Sequence, residues 1–147
     1  MARNKYLIIH GTADDNMEAI AICGNALQEA GIVQETFAKK CQLREKDYPT
    51  GLPTEIPVAI PHCKDEGISE NGICFLKLEK PVRFYRMDDE LESIETDMVF
   101  NMAIKNPDEH LEALQNLMGF LSDADALIKC RDMTDDEVTA YLEEKIG

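Results

Sequence analysis

The feature that most restricts the fold is an apolar run, Asp97–Ile104, in which Asn101 is the single interior polar residue. A strand with one solvated face alternates polar and apolar residues, whereas a run without alternation is typical of a central strand buried on both faces. Gly72–Leu78 is a second, mostly apolar run and predicts another strand. The chain therefore contains at least two strands suited to the interior of a sheet.

Helical patterns are interleaved with these strands and indicate a layered α/β domain. Apolar residues within Ile20–Ala30 recur at helical spacing and stop at Gly31, and a second helix is predicted over Gln34–Lys46. Thr134 and Glu137 have the spacing of a capping box that starts the last helix. The other predicted strands are a strand or arm at Tyr6–His10, a short strand at Val58–Ile60 and a strand at Val82–Tyr85, and a solvated loop is predicted at Asp88–Glu95.

The other predicted helices are one opened by Asn106–Glu109 and a short one at Asp125–Cys130. The side chains predicted to be buried are Phe37 and Cys41 in the second helix, a stripe of Leu111, Leu114, Met118 and Leu121 in the helix after Asn106, and Val138, Tyr141 and Leu142 in the last helix.

Length and charge exclude several functional classes. The 147 residues are typical of one domain, spanning 1–147. A net charge of −14 repels both phosphate backbones and anionic lipid, so nucleic-acid binding is not expected. No apolar run reaches membrane-spanning length, and the N-terminal segment is too short for a signal-peptide core, so we expect a soluble protein.

Cysteine usage points to a reducing compartment. The five cysteines are odd in number and show no C-x-x-C spacing, which argues against a disulfide framework and a structural zinc site. We therefore expect reduced, mostly buried cysteines in a cytoplasmic protein.

The segment Tyr48–His62 differs in kind from the rest of the chain. It contains five of the fourteen glycines and prolines. Such a segment is a loop, either ordered or disordered. Loops that contain several prolines and glycines inside a compact domain often hold functional residues.

His62 ends this segment and is the first candidate for chemistry. Pro61 fixes its own φ and biases Ile60 toward an extended shape, so the imidazole is mounted on a stiff support. An imidazole near neutral pH has a free ring nitrogen that can accept a phosphoryl group. A Pro-His pair alone is a weak signal, and on spacing alone a histidine that merely ends a strand is the better explanation.

Two further residues could assist an anion site, although each has a simpler interpretation. His110 falls in the first turn of the predicted helix after Asn106, where free N–H groups favour a bound phosphate; a surface histidine is the simpler alternative. Arg44 lies at the end of the second helix and presents a fork that suits phosphate oxygens. Pairing with Glu45 or Asp47, or simply complementing the helix dipole at a C-terminus, is the commoner fate of such an arginine.

Other candidates have weaker support. Cys63 adjoins His62, but a Cys–His catalytic pair is usually spatial rather than sequential. Glu55 could orient the imidazole or could simply be solvated. A metal site built from His10, His62, His110 and Cys63 is conceivable, but no ligand spacing supports it.

Together these residues resemble one family. Arg44-Glu45, Thr50-Gly51-Leu52 and Val58–His62 are similar to the motifs of the enzyme IIA (EIIA) component of the bacterial phosphoenolpyruvate-dependent sugar phosphotransferase system, fructose–mannitol type. Pro81–Phe84 and Asn106–Leu114 also resemble it. Galactitol-specific members are the most similar, because they share Pro-Thr-Gly and end the loop in A-I-P-H-C. Two residues are inserted before Pro-His relative to the mannitol type, so no role is carried over to Glu55.

The resemblance implies a fold, a reaction and partners. The fold is α/β, a single layered domain with a mixed β-sheet flanked by helices on both sides. His62 matches the phosphorylated histidine, His110 a second active-site histidine, and Arg44 an arginine near the phosphate. The implied carrier accepts phosphate from the phosphocarrier protein HPr and passes it to a cysteine of the IIB component. It meets the membrane component IIC only indirectly, and the sugar would be galactitol-like.

The sequence alone leaves open two alternatives to this phosphoryl carrier, a regulatory protein and a Cys–His enzyme. The chain has no Walker-type phosphate loop, so ATP is not expected as the direct donor, and no metal or cofactor is expected if the donor is a phosphohistidine. A regulatory EIIA-like protein could use the same phosphorylation without sugar transport. A Cys–His enzyme using Cys63 is a third possibility.

Overall fold

Two long strands, β4 (Gly72–Tyr85) and β5 (Ser93–Ala103), pair antiparallel at the centre of one sheet. The computed structural model describes residues 4–106 and 111–147. Phe75 of β4 and Phe100 of β5 are cross-strand partners whose rings stack with centroids 4.3 Å apart. These strands contain the two apolar runs of the sequence, which confirms their predicted place in the interior.

The sheet is mixed and has the strand order β1-β4-β5-β3-β2. Strand β1 (Lys5–Gly11) pairs parallel to β4. On the other side β3 (Val58–Ala59) pairs parallel to β5, and β2 (Gly51–Leu52) pairs antiparallel to β3. The segment around the predicted loop therefore forms the far edge of the sheet.

Helices cover both faces of the sheet. The helices α1 (Asn16–Glu29) and α2 (Phe37–Asp47) pack on one face, and α3 (Leu111–Leu121), α4 (Ala124–Asp132) and α5 (Asp135–Lys145) pack on the other. In the described ranges, no helix is both long enough and apolar enough to cross a membrane. The predicted fold class, a mixed sheet flanked by helices on both sides, is confirmed.

The alternation of side chains along β4 explains the two-sided core. Cys74 and Leu76 belong to the buried cluster shared with α1 and α2, whereas Ile73 and Phe75 belong to the cluster shared with α3, α4 and α5. Successive side chains of a strand point to opposite faces, so an apolar run supplies both clusters at once.

Two predictions for the central strands were wrong in extent. Val82–Tyr85 is not a separate strand, because β4 continues through it after a register irregularity between Lys77 and Val82. The predicted solvated loop at Asp88–Glu95 is shorter, since β5 already begins at Ser93. In this outer half of β4 only alternate residues are buried, so it lacks the unbroken apolar pattern that marks the inner half.

Several helix predictions hold, and one stripe does not. Gly31 has a φ of +79° just after α1, which suits the predicted helix stop. Thr134 and Glu137 form the predicted capping box of α5. Val138 and Leu142 are buried, whereas Tyr141 is only half-buried.

In α3 the predicted buried stripe is wrong at Met118, which is 37% exposed. Leu121 is buried as predicted, and Leu117 and Phe120, which the stripe did not include, are buried as well. Apolar residues occupy adjacent positions of this helix, Leu117 with Met118 and Phe120 with Leu121, so two neighbouring faces satisfy helical spacing and the sequence alone does not separate them. Of the predicted helix opening at Asn106–Glu109, all but Asn106 lies outside what the structure describes, and so do the side chains of the other two stripe residues, Leu111 and Leu114.

The contact between α1 and α2 depends on Gly24. A Cβ atom built at Gly24 would lie 2.4 Å from the Cβ of Ala38, so the two helices approach more closely than a side chain would allow. This contact fixes α2, which supplies residues to the candidate site described below.

We expect Gly24→Ala to lower the free energy of unfolding by about 1–3 kcal/mol, because the added methyl group overpacks the helix contact. Gly119→Ala in α3 is the matched control. A Cβ at Gly119 meets nothing within 4 Å among the residues that the structure describes, so this change should raise stability by roughly 0.5–1 kcal/mol through helix propensity. Urea unfolding of both variants tests the pair, and equal effects would contradict the close approach.

Candidate functional site

The sequence left open whether the segment Tyr48–His62, between α2 and β4, is an ordered or a disordered loop. In the structure this segment is ordered. β2 and β3 form a small antiparallel pair within it, and the backbone N–H of Ile60 donates to the carbonyl of Thr50 at 3.2 Å. Because β3 pairs with β5, the segment is attached to the central sheet just before His62.

The carbonyl of Pro61 is the anchor of the candidate site. It accepts a hydrogen bond from the backbone N–H of Met102 at 2.9 Å and a second from Nδ2 of Asn101 at 3.1 Å. Asn101 is fully buried, so these bonds form away from competing water. The one polar residue inside the apolar run of β5 thus holds the residue that precedes His62. In the sequence, Asn101 stands out as a polar residue within an apolar run, but that pattern alone assigned no role to it.

His62 is half-buried and has a defined ring orientation. Its Nδ1 lies 2.7 Å from the carbonyl oxygen of Ile60. A carbonyl oxygen only accepts, so Nδ1 carries the hydrogen and Nε2 is left with a free lone pair in the neutral ring. Burial lowers the pKa of His62, and the positive charge of Arg44 lowers it further, against the opposing effect of the Ile60 hydrogen bond. The neutral, nucleophilic form is therefore favoured.

Arg44 lines the same surface hollow as His62. The hollow is also lined by Tyr48, Thr50 and Met87. The Arg44 guanidinium lies over the Tyr48 ring, with Cζ 5.2 Å from the ring centroid. Its Nε is buried and has no hydrogen-bond partner among residues 4–106 and 111–147.

The alternative in which Arg44 pairs with Glu45 or Asp47 is not what the structure shows. Within the same described residues no ion pair joins Arg44 to either of them. Arg44 is therefore a cation that faces the hollow beside His62 without a neutralising partner in that part of the chain.

Glu45 connects α2 to the site segment and was missed as a functional residue. Its two carboxylate oxygens accept hydrogen bonds from the backbone N–H and the hydroxyl of Thr50, both at 2.8 Å. Glu45 is only 4% exposed, and burial raises its pKa to about 7 despite the Thr50 bonds and the nearby Arg44 charge. The Arg44-Glu45 and Thr50-Gly51 motifs were the available signal in the sequence. The hydrogen bonds between Glu45 and Thr50 cross the end of a helix, however, and residue spacing alone does not predict them.

Gly51 follows Thr50 and permits a close backbone approach. A Cβ atom there would lie 2.6 Å from the carbonyl oxygen of Tyr85. The Thr-Gly motif therefore positions this edge of the sheet: threonine binds Glu45, and glycine lets the chain pass close to β4.

The sequence candidates Glu55 and Cys63 do not join this site. Glu55 is exposed, and the group that binds His62 Nδ1 is the Ile60 carbonyl. Cys63 contacts Cys41, with the two Sγ atoms 3.4 Å apart, and no hydrogen bond links it to His62 in the described part of the chain. His110 lies outside the described residues.

The suggested metal site is not assembled by the described residues. His10 binds Asp135 at 2.7 Å and lines a different hollow from His62. Across 4–106 and 111–147, no group of three or more potential ligand side chains is positioned to hold a metal ion.

Comparison with known proteins gives one consistent family. The family described as "Phosphoenolpyruvate-dependent sugar phosphotransferase system, EIIA 2" matches residues 2–145. A galactitol-specific EIIA component from Escherichia coli is 30% identical over 112 residues, which cover 76% of this chain and 74% of that protein. A mannitol-specific phosphotransferase enzyme IIA component from Enterococcus faecalis is 30% identical over 129 residues, which cover 85% of each.

Solved structures agree with this result. The complex of mannitol enzyme IIA with phosphorylated mannitol enzyme IIB from Escherichia coli superposes with a TM-score of 0.74 at 26% identity, covering 92% of each chain. The nitrogen regulatory protein IIA-Ntr from Neisseria meningitidis gives a TM-score of 0.73 at 23% identity, again covering 92% of each chain, and at that identity the likeness shows the fold alone.

The buried Glu45 carboxyl yields a pH-dependent prediction. Because its folded pKa is raised, the stability it contributes is present below its ordinary value of 4.5 and is lost as the pH rises through about 7. Glu45→Gln keeps an acceptor for the Thr50 N–H but does not ionise. We therefore expect the free energy of unfolding of the wild type to fall relative to that of Glu45→Gln between these pH values.

Urea unfolding at stepped pH measures the difference between the two proteins. Glu55→Gln, which removes an exposed carboxylate from the same segment, controls for the change in net charge. Parallel pH curves for the wild type and Glu45→Gln would show that the Glu45 carboxyl is not the cause.

Proposed function

The chain belongs to the EIIA type 2 family of the phosphoenolpyruvate-dependent sugar phosphotransferase system, and from that premise we propose that His62 is its phosphorylated residue. The resemblance inferred from the motifs is confirmed. Membership gives the general role, a phosphoryl carrier of a sugar phosphotransferase system. The specific proposal is that His62 accepts a phosphoryl group from HPr and passes it to a cysteine of a IIB component.

The observation that supports His62 is the fixed tautomer of its ring. With Nδ1–H donating to the Ile60 carbonyl, Nε2 has the lone pair and can attack phosphorus without first losing a proton. The phosphorus–nitrogen bond to the donor breaks as the bond to Nε2 forms. The ring then carries positive charge, which the Ile60 carbonyl stabilises through the Nδ1 hydrogen.

The second step, transfer of the phosphoryl group from His62 to the acceptor cysteine, uses the same geometry. A thiolate of the acceptor attacks phosphorus on the side opposite Nε2, and the imidazole leaves as a neutral ring with its Nδ1 hydrogen bond intact. Both steps require in-line approach and stabilisation of negative charge more than covalent assistance. A fixed imidazole at a surface hollow meets the first requirement.

Arg44 is proposed to meet the second requirement. It lines the hollow with His62, and its guanidinium carries a fork of N–H donors that suits phosphoryl oxygens. His110 is proposed as a second stabilising group on the strength of the family resemblance alone.

The partners and the compartment follow from family and sequence. A IIB domain is the proposed acceptor because the solved mannitol IIA relative is bound to a phosphorylated IIB. A galactitol-like sugar is proposed from the A-I-P-H-C motif together with the galactitol-specific relatives, although mannitol-specific relatives also match. We further propose that residues 1–147 form one cytoplasmic EIIA domain that needs no cofactor and contacts the membrane component only through IIB.

His62→Ala should abolish labelling by radioactive phosphoenolpyruvate in the presence of HPr and the kinase that charges HPr. The label on the wild type should be lost in acid, and phosphorus NMR should place it on Nε2. His10→Ala is the matched control, because His10 lines a different hollow and should leave labelling unchanged. Persistent labelling of His62→Ala would exclude His62 as the acceptor.

The same labelled protein separates transport from regulation. Incubation with purified galactitol-type and mannitol-type IIB domains should move the label to a IIB cysteine. A labelled protein that transfers to neither domain would favour the phosphorylation-dependent regulatory role.

Arg44→Gln should slow phosphate acceptance on the order of 100-fold, as expected for loss of one charge-stabilising group. The pKa of His62 is lowered in part by the Arg44 charge, so its removal should also move the acid side of the pH–rate profile to higher pH. Lys39→Gln makes the same change in net charge at an exposed position of α2 and is the control. An Arg44→Gln profile that overlays the control would remove Arg44 from the mechanism.

A further inference from the structure

Cys41 and Cys63 form a thiol pair that the proposed phosphoryl transfer does not use. Cys41 lies on α2 and Cys63 directly follows His62, and their Sγ atoms are 3.4 Å apart. A disulfide bond has an S–S distance of about 2.05 Å, so the sulfurs need to approach by only about 1.3 Å to be joined.

The two sulfurs differ in their access to solvent. Cys63 is half-buried and lines a surface hollow together with Lys40, Arg44 and Lys64. Cys41 is 1% exposed. A small oxidant therefore reaches Cys63 first, and Cys41 is held behind it.

The surroundings of the pair favour a reactive Cys63. The Cys41 thiol donates a hydrogen bond to Cys63 Sγ, which lowers the pKa of Cys63. The charges of Lys40 and Arg44 act in the same direction, against burial and the charge of Asp65. The same hydrogen bond and burial raise the pKa of Cys41, so it stays a thiol. Thiolate character and exposure together determine which cysteine reacts with an oxidant.

We propose that Cys41 and Cys63 are a reversible redox pair that hydrogen peroxide converts to an intramolecular disulfide. The Cys63 thiol first releases its proton to solvent, and the thiolate attacks one peroxide oxygen. The O–O bond breaks, Cys63 becomes a sulfenic acid, and the other oxygen leaves as hydroxide, which takes up a proton from solvent in place of the one released and becomes water. Cys41 Sγ then attacks Cys63 Sγ, the S–O bond breaks, and the Cys41 proton leaves with that oxygen as a second water. Two thiols are oxidised and one peroxide is reduced, and a dithiol reductant reverses the change.

The disulfide would also act on the phosphorylation site, an effect that rests on the proposed function of His62. Cys41 Sγ lies 3.8 Å from Nδ2 of Asn101, the group that anchors the Pro61 carbonyl. Drawing Cys63 toward Cys41 shifts the residue next to His62 and changes the surroundings of this anchor. We expect the oxidised protein to accept phosphate more slowly, because a small misplacement removes the in-line geometry.

The fold contains an internal control for this pair. Cys23 and Cys74 are also neighbours, since the Cys74 side chain contributes with burial to raising the pKa of the Cys23 thiol, but both are 0% exposed in the core between α1 and β4. They offer two neighbouring thiols without access for an oxidant. The proposal therefore requires selective oxidation of Cys41 and Cys63.

Disulfide mapping of the intact chain tests the pair directly. After mild peroxide treatment and alkylation of free thiols, trypsin separates the two cysteines onto Cys41–Arg44 and Asp47–Lys64. We expect these peptides to be linked, the monomer mass to fall by two hydrogens, and dithiothreitol to reverse both changes. Cys23 and Cys74 should remain alkylated. Absence of the linked peptide, or irreversible oxidation of Cys63 without it, would overturn the proposal.

Two variants identify the roles within the pair. In Cys63→Ser no disulfide should form, whereas in Cys41→Ala the Cys63 sulfenic acid should persist and react with dimedone. Mapping of the wild type does not depend on either variant being stable. Dimedone capture on Cys41 in Cys63→Ser, at the wild-type rate, would contradict the assigned order of attack.

Labelling of His62 tests the effect on phosphate acceptance. The oxidised wild type should be labelled more slowly, on the order of tenfold, and dithiothreitol should restore the rate, while peroxide-treated Cys63→Ser should keep its untreated rate. A linked protein with an unchanged labelling rate would overturn the coupling to His62. If the reduced wild type is not labelled at all, the proposed function fails, and disulfide mapping still decides the redox pair.

Discussion

The attachment of the Pro61 carbonyl to β5 is the interaction on which the arrangement of the site depends. One bond comes from the backbone of Met102 and the other from the side chain of Asn101. The Asn101 amide is buried, and its Oδ1 has no partner among the described residues, a state that costs about 1–3 kcal/mol. An apolar side chain would avoid that cost. The amide is therefore explained by what its nitrogen holds, namely the residue that mounts His62.

A fixed mount determines the chemistry of the imidazole as well as its position. Because Pro61 is attached on one side and the ring donates to Ile60 on the other, the backbone around His62 selects both the ring orientation and the tautomer. Glu45 supports the same segment from α2 through its two bonds to Thr50. Positioning of this kind is established by folding, so little conformational entropy of the His62 side chain needs to be lost when a reactant binds.

Much of the fold could be predicted from the sequence, because the apolar runs of β4 and β5 and the capping residues of α5 are local signals. The register irregularity after Lys77 and the buried face of α3 could not, since both depend on packing that several sequence patterns satisfy equally. In the site, Pro-His and the adjacent motifs predicted a stiff loop with His62 at its end. The partners of Glu45, Asn101 and Cys63 come from other elements of the fold, and spacing along the chain does not reveal which of them meet.

The electrostatics of the hollow suit a carrier better than a tight phosphate receptor. Among its described lining residues Arg44 is the one cation, and Asp47, Asp88 and Glu90 lie on the same lining. Asp88 is paired with Arg86, so part of this negative charge is balanced, but the chain as a whole still carries −14. A cradle of several cations would hold a phosphoryl group firmly and raise the barrier to its departure. In the proposed reaction, one arginine beside a neutral imidazole would stabilise charge during transfer and leave phosphorylated His62 only weakly favoured, which is the condition for passing the group on.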